Sequence, residues 1–95
     1  MTEIEVDCEP SSDGWTCAVA IAVADARGTS RHTVRVGAAD LARLDPAAIE
    51  PTNLVRRSFE FLLRHEPPES ILASFDLTVI SRYFPDYEDA IRRRV

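Results

Sequence analysis

The sequence predicts an α+β domain in which an N-terminal three-stranded antiparallel meander has one face covered by C-terminal helices. Three observations predict it. Residues 3 to 36 fall into runs that alternate apolar with polar or small side chains, the period of a half-buried strand. Residues with turn chemistry separate those runs. After Gly37 the apolar residues instead recur three and four positions apart, the period of a helix.

The first run, Glu3-Ile4-Glu5-Val6-Asp7-Cys8, puts Ile4, Val6 and Cys8 on one side and three acids on the other. A loop is expected over Glu9-Pro10-Ser11-Ser12-Asp13-Gly14. The second run has Trp15, Cys17, Val19, Ile21 and Val23 at odd positions, with Thr16, Ala18, Ala20 and Ala22 between them. Asp25-Ala26-Arg27-Gly28 supplies a glycine for a turn, and His32-Thr33-Val34-Arg35-Val36 resumes the alternation as a third strand. A centre-to-centre register pairs Cys8 with Cys17 and gathers Ile4, Val6, Trp15, Val19, Ile21, Val34 and Val36 on one face. The rest of the chain must cover that face.

A short helix is expected from about Ala38 to Leu44, presenting Leu41 and Leu44 and ending before Asp45-Pro46, with a turn through Ile49. Thr52 or Asn53 can cap the central helix, which runs to about His65 and stops at Glu66-Pro67-Pro68. Its apolar arc is Leu54, Val55, Phe59, Phe61, Leu62 and Leu63. Arg56, Arg57, Glu60 and Arg64 face water, with Arg56, Glu60 and Arg64 at i, i+4 spacing. Pro68 opens a further short helix carrying Ile71, Leu72 and Phe75. Asp76 caps another over Leu77 to Phe84, with Leu77, Ile80, Tyr83 and Phe84 inward. Asp86 and Asp89 approximate a capping box for a last helix with stripe Tyr87, Ala90 and Ile91 and surface pairs Glu88–Arg92 and Asp89–Arg93.

At 95 residues the chain is read as one domain, 1–95, with the sheet at about 2–37 and the helical part at about 38–95. A chain of that size buries roughly 60 to 65 per cent of its unfolded surface. All eleven basic residues counted as Lys or Arg are Arg, which suggests a GC-rich genome. The net charge of −5 opposes nucleic-acid or anionic-membrane binding as the main activity, since both need a basic field. The longest uncharged apolar stretch, Trp15 to Ala24, falls short of the ~20 residues of a helical span. Acids at Glu3, Glu5 and Asp7 stand where a secretory signal carries basic residues, so a cytoplasmic location is expected.

Cys8 and Cys17 lack metal or redox spacing, and two reduced, buried thiols are expected. His32 and His65 have no neighbouring triad or ligand pattern; His65 is read as a packing or carbonyl-capping residue at a helix end. With three glycines and no phosphate-cradling loop, a nucleotide site is not expected. The sequence therefore names no catalytic residue, cofactor or metal, and an enzyme is not expected.

The stretch Ser58-Phe59-Glu60-Phe61-Leu62-Leu63-Arg64-His65-Glu66-Pro67-Pro68-Glu69-Ser70-Ile71-Leu72, continued by Phe75-Asp76-Leu77 and Arg82-Tyr83-Phe84-Pro85-Asp86-Tyr87, resembles the tail of small uncharacterised prokaryotic proteins. That resemblance covers about a third of the chain and implies a prokaryotic origin with no activity attached. The strand Thr33-Val34-Arg35-Val36 ahead of two helices is similar to ribbon-helix-helix DNA-binding proteins, which implies a strand shared between two chains.

Function enters through the second face of the sheet. In the proposed register it carries Glu3, Glu5 and Asp7 on one margin, Thr16, Ala18, Ala20 and Ala22 in the middle, and Arg31, Thr33 and Arg35 on the other. Ala18, Ala20, Ala22, Arg31, Thr33 and Arg35 are the candidate interaction surface. An alanine floor between acidic and basic margins suits a protein partner or a two-fold copy of the chain itself. The plainer reading is that the long Glu and Arg side chains lie across the alanines in water. The expectation is a small non-enzymatic protein-interaction module, homodimeric through this face. The alternative is a DNA-binding or antitoxin-like regulator using Arg31, Thr33 and Arg35.

Overall fold

The computed structural model describes residues 2–23 and 29–92. Strands β1 (Thr2–Ser11), β2 (Gly14–Val23) and β3 (Thr29–Gly37) form the antiparallel meander. Cys8 pairs with Cys17, and Ile4, Val6, Val19 and Ile21 follow in the same register. Cys17, Val19, Ile21, Val34 and Val36 are buried on one face. Ile4, Val6, Cys8 and Trp15 are partly buried against the same core.

Two features of the sheet correct the sequence expectation. β1 does not stop at Cys8: it continues through Pro10 to Ser11, and only Ser12 and Asp13 form the turn. A proline fits because β1 is an edge strand. The Cα separation of 4.0 Å at Cys8–Cys17 marks a non-hydrogen-bonded pair, and Pro10, two residues on, has the same orientation. Its missing N–H therefore falls on the open edge. Gly14 then runs so close to the end of β3 that a Cβ there would lie 2.1 Å from the Val36 carbonyl oxygen.

The second correction is a fourth strand. The chain after Pro67 makes only a 3₁₀ turn (Pro68–Ser70) and then β4 (Ser74–Asp76), parallel to β3, where a helix through Ile71, Leu72 and Phe75 is expected from the sequence. The sheet is thus mixed, in the order β1-β2-β3-β4. The cause is the edge of β3, whose backbone groups need partners. Thr33 N–H donates to the Ala73 carbonyl at 2.8 Å, and Leu77 N–H donates to the Arg35 carbonyl at 2.9 Å. Ile71, Phe75 and Leu77 are buried, whereas Leu72 is half-exposed.

Helices α1 (Ala38–Leu44), α2 (Thr52–His65), α3 (Val79–Tyr83) and α4 (Tyr87–Arg92) supply the cover. Pro51, not Thr52 or Asn53, stands at the start of α2; it is buried, and its carbonyl accepts from Val55 N–H at 2.8 Å. Leu54, Val55, Phe59, Phe61 and Leu62 of α2 are buried, and Arg56, Glu60 and Arg64 are exposed, as the helical period predicts. Burial of a side chain such as Leu54 or Phe59 contributes about 2 to 3 kcal/mol.

Arg57 departs from the solvated stripe. It donates to the Ile91 carbonyl at 3.0 Å and pairs with Asp45 at 3.1 Å, tying α2 to α4 and to the end of α1. α3 starts two residues later than expected, because Asp76 closes a turn instead, accepting from Thr78 N–H at 3.2 Å and from Thr78 Oγ1 at 2.9 Å. In α4, Tyr87 and Ile91 are buried but Ala90 is exposed, and Glu88 pairs with Arg43 at 3.0 Å. The Asp25–Gly28 turn, the side chain of Val23 and the Asp89–Arg93 pair lie outside the described residues.

Candidate functional site

The strand registers set out the open face in cross-strand rows. Glu3–Ala22–Thr29, Glu5–Ala20–Arg31, Asp7–Ala18–Thr33 and Glu9–Thr16–Arg35 each run from β1 across β2 to β3. All six candidate residues fall on this face. Ala18, Arg31, Thr33 and Arg35 are exposed, and Ala20 and Ala22 are partly covered by their taller neighbours. The period of two dictates the arrangement, since the core takes Cys17, Val19, Ile21, Val34 and Val36 and leaves the intervening residues outside.

The chemistry of the face is a gradient across three strands. Every β1 member of a row is a carboxylate, every β2 member is Ala or Thr, and the β3 members are Arg or Thr. A shallow trough of about 610 Å³ lies over Ala18 and Ala20 between Glu5 and Asp7 on one side and Arg31 and Thr33 on the other. Opposed charges stand two strand spacings apart, roughly 10 Å. Among the described residues no ion pair joins the β1 acids to Arg31 or Arg35.

β4 modifies one end of the face. In its parallel register Ser74 stands beside Thr33 and Asp76 beside Arg35, and the Arg35 guanidinium donates to Ser74 Oγ at 3.4 Å. Arg31 lies beyond the end of β4 and has no such neighbour in the register. It is the less encumbered of the two cations.

A second concavity, of about 450 Å³, lies where the C-terminal end of α2, β4 and α3 meet. Leu62, Ile71, Phe75, Ile80 and Phe84 form its walls, with Leu72 and Tyr83 at 50% and 69% exposure on its rim. Sequence reasoning missed this cleft, because each wall residue has a core assignment of its own. The signal that remains is an apolar residue, Leu72, in the segment between two proline-bounded elements.

Both histidines contact neighbouring groups. His32 faces the core of β3, with Nδ1–H donating to the Leu72 carbonyl at 2.7 Å, Nε2 against the Ser30 hydroxyl, and the ring 5.4 Å from that of Phe59. His65 packs its ring on Phe61 and Phe84 at 4.6 and 4.9 Å. Cys8 and Cys17 are joined as a disulfide, where reduced thiols are expected from the sequence; the register that pairs the two strands places their sulfurs together. Among the described residues no cluster of three or more His, Cys, Asp or Glu is arranged to hold a metal ion, and no helix is long and apolar enough to cross a membrane.

Comparison with known protein families, with curated proteins and with solved structures finds no match for this chain.

Proposed function

We propose that the chain is a small non-enzymatic protein-interaction module that binds through the open face of its sheet. The observation that carries this reading is the row pattern of acid, small residue and base across β1, β2 and β3. A floor of Ala18, Ala20 and Ala22 lets another surface approach closely, and the two charged margins fix its orientation. A nucleic acid laid over Arg31, Thr33 and Arg35 would bring phosphates against the carboxylates of Glu5, Asp7 and Glu9, so a partner of mixed charge fits better.

The test compares two surface changes on immobilised protein. Ala20→Arg raises a bulky cation in the middle of the trough, and Glu60→Ala alters the exposed stripe of α2. With circular dichroism and melting unchanged, the first is expected to lose bound protein, self or other, and the second to keep it. Equal retention by both variants contradicts the reading, and retention of DNA by the wild type in place of protein favours the regulator. The compartment belongs to the same proposal: the chain is cytoplasmic, and its recovery with exported rather than cytoplasmic protein on fractionation of the native cell would contradict that.

A further inference from the structure

We infer that the partner on the open face is a second copy of the chain, related by a two-fold axis that lies between the two sheets and runs parallel to the strands. This rests on the reading that the open face is the binding surface. It adds which surface the face meets, and in what orientation.

The argument is one of symmetry applied to the rows. Two sheets packed face to face by a two-fold axis have that axis in the plane between them. An axis along the strands, above β2, carries β1 of one copy over β3 of the other and leaves each row over its own copy. Glu5 then faces Arg31 twice and Glu9 faces Arg35 twice, with Ala20 over Ala20 and Ala18 over Ala18 at the centre. An axis across the strands instead carries β1 over β1 in the opposite direction and, where it crosses midway along the rows, sets Glu5 over Asp7 and Glu3 over Glu9, each twice. Like charges so placed repel, so the charge pattern selects the first axis.

The same pattern disfavours pairing through the sheet edge. β4, the edge strand beside β3, is only three residues long, and β1, the long edge strand, presents Pro10 and a carboxylate at every second position from Glu3 to Glu9. Alanine at the centre permits the sheets to approach closer than the ~10 Å of sheets with larger inward side chains, which brings the long margins within reach of one another. Three strands of this length offer roughly 500 Å² of flat face. That is less than the ~800 Å² per partner of a standard interface, so the dimer is expected to form at micromolar rather than nanomolar concentration.

Charge reversal at Glu5 and Arg31 tests the axis, with dimerisation read by sedimentation equilibrium and mixing by native mass spectrometry. Glu5→Arg and Arg31→Glu, each alone, are expected to weaken self-association at least tenfold, and an equimolar mixture of the two to restore it as a heterodimer. The double reversal Glu5→Arg/Arg31→Glu is expected to dimerise with itself and to refuse the wild type, because reversed rows match only reversed rows under this axis. A Glu5→Arg variant that self-associates more tightly than the wild type overturns the axis, since an axis across the strands sets position 5 over the carboxylates of β1 instead of over Arg31. A wild type that stays monomeric to millimolar concentration overturns the second copy as partner. In that event the binding face itself is judged separately, by whether Ala20→Arg still abolishes capture of another protein.

Discussion

The hydroxyl of Tyr87 lies 2.6 Å from Ser58 Oγ, at the buried contact between α4 and α2. Ser58 donates its own proton to the Leu54 carbonyl at 2.7 Å, so the phenol is the donor to Ser58 and must stay neutral to play that part. Burial pushes the Tyr87 phenol up from its ordinary 10.0 to about 12. The folded value lies above the unfolded one, so the contribution to stability is complete below pH ~10 and is lost as the pH rises through about 12. A loss of about 2 to 3 kcal/mol is expected across that window. In a Tyr83→Phe chain Tyr87 is the one tyrosine left of two, and its tyrosinate absorption should rise only near pH 12 or together with unfolding. Ionisation near pH 10 with the fold intact contradicts the buried contact.

Gly14→Ala is expected to destabilise the fold by about 2 to 4 kcal/mol, the range of a serious local clash. A Cβ at this position meets the Val36 carbonyl at 2.1 Å and the Ala38 amide nitrogen at 2.9 Å, and backbone atoms cannot rotate out of the way. The hairpin end would have to lift from the start of α1, opening the bond from Ala38 N–H to the Asp13 carbonyl. Urea unfolding measures the change, and a loss under ~0.5 kcal/mol would mean that the hairpin does not press on β3.

Arg57→Leu is expected to cost about 2 to 4 kcal/mol, far more than Arg56→Leu one residue away. Arg56 is exposed, whereas Arg57 holds both Asp45, whose side chain is 9% exposed, and the Ile91 carbonyl at the end of α4. Losing the cation leaves a buried carboxylate without this counter-charge. Thermal melts of the two variants decide, and equal effects would remove the structural role assigned to Arg57.

Opening the Cys8–Cys17 bond is expected to lower stability without dissolving the sheet. The bond closes a loop of sequence separation 9, and such a loop contributes about 2 to 3 kcal/mol through the unfolded state. The β1–β2 register extends from Thr2–Val23 to Ser11–Gly14 and does not depend on it. Cys8→Ala/Cys17→Ala should therefore melt lower but keep its strand circular dichroism. Loss of the fold on reduction would show the bond to be obligatory.

The meander was readable because strict alternation fixes which face is buried, and one slip of register would turn Val19, Ile21 and Val34 to water. The same constraint made the residues of the open face readable, but not the rows in which β3 pairs with β2. α2 was readable from its apolar arc and from Pro67 and Pro68 beyond its end. β4 was not: three residues have no period, and what makes Ser74–Asp76 a strand is the unfilled edge of β3, forty residues earlier in the chain. Arg57 escaped for a related reason. On a helical projection it sits with Arg56 and Glu60, and only the docking of α4 turns its side of α2 into an interior.

The most direct measurement of the central claim is a series of ¹H–¹⁵N correlation spectra on the wild type from about ten micromolar to one millimolar, repeated with any captured partner. The account predicts that amide shifts change at Ala18, Ala20, Ala22, Arg31, Thr33 and Arg35 on the open face, and stay fixed at Arg56, Glu60 and Arg64 on the outer stripe of α2. Spectra that do not change at any concentration or with any partner, or changes confined to Leu72, Tyr83 and the cleft between them, would contradict it.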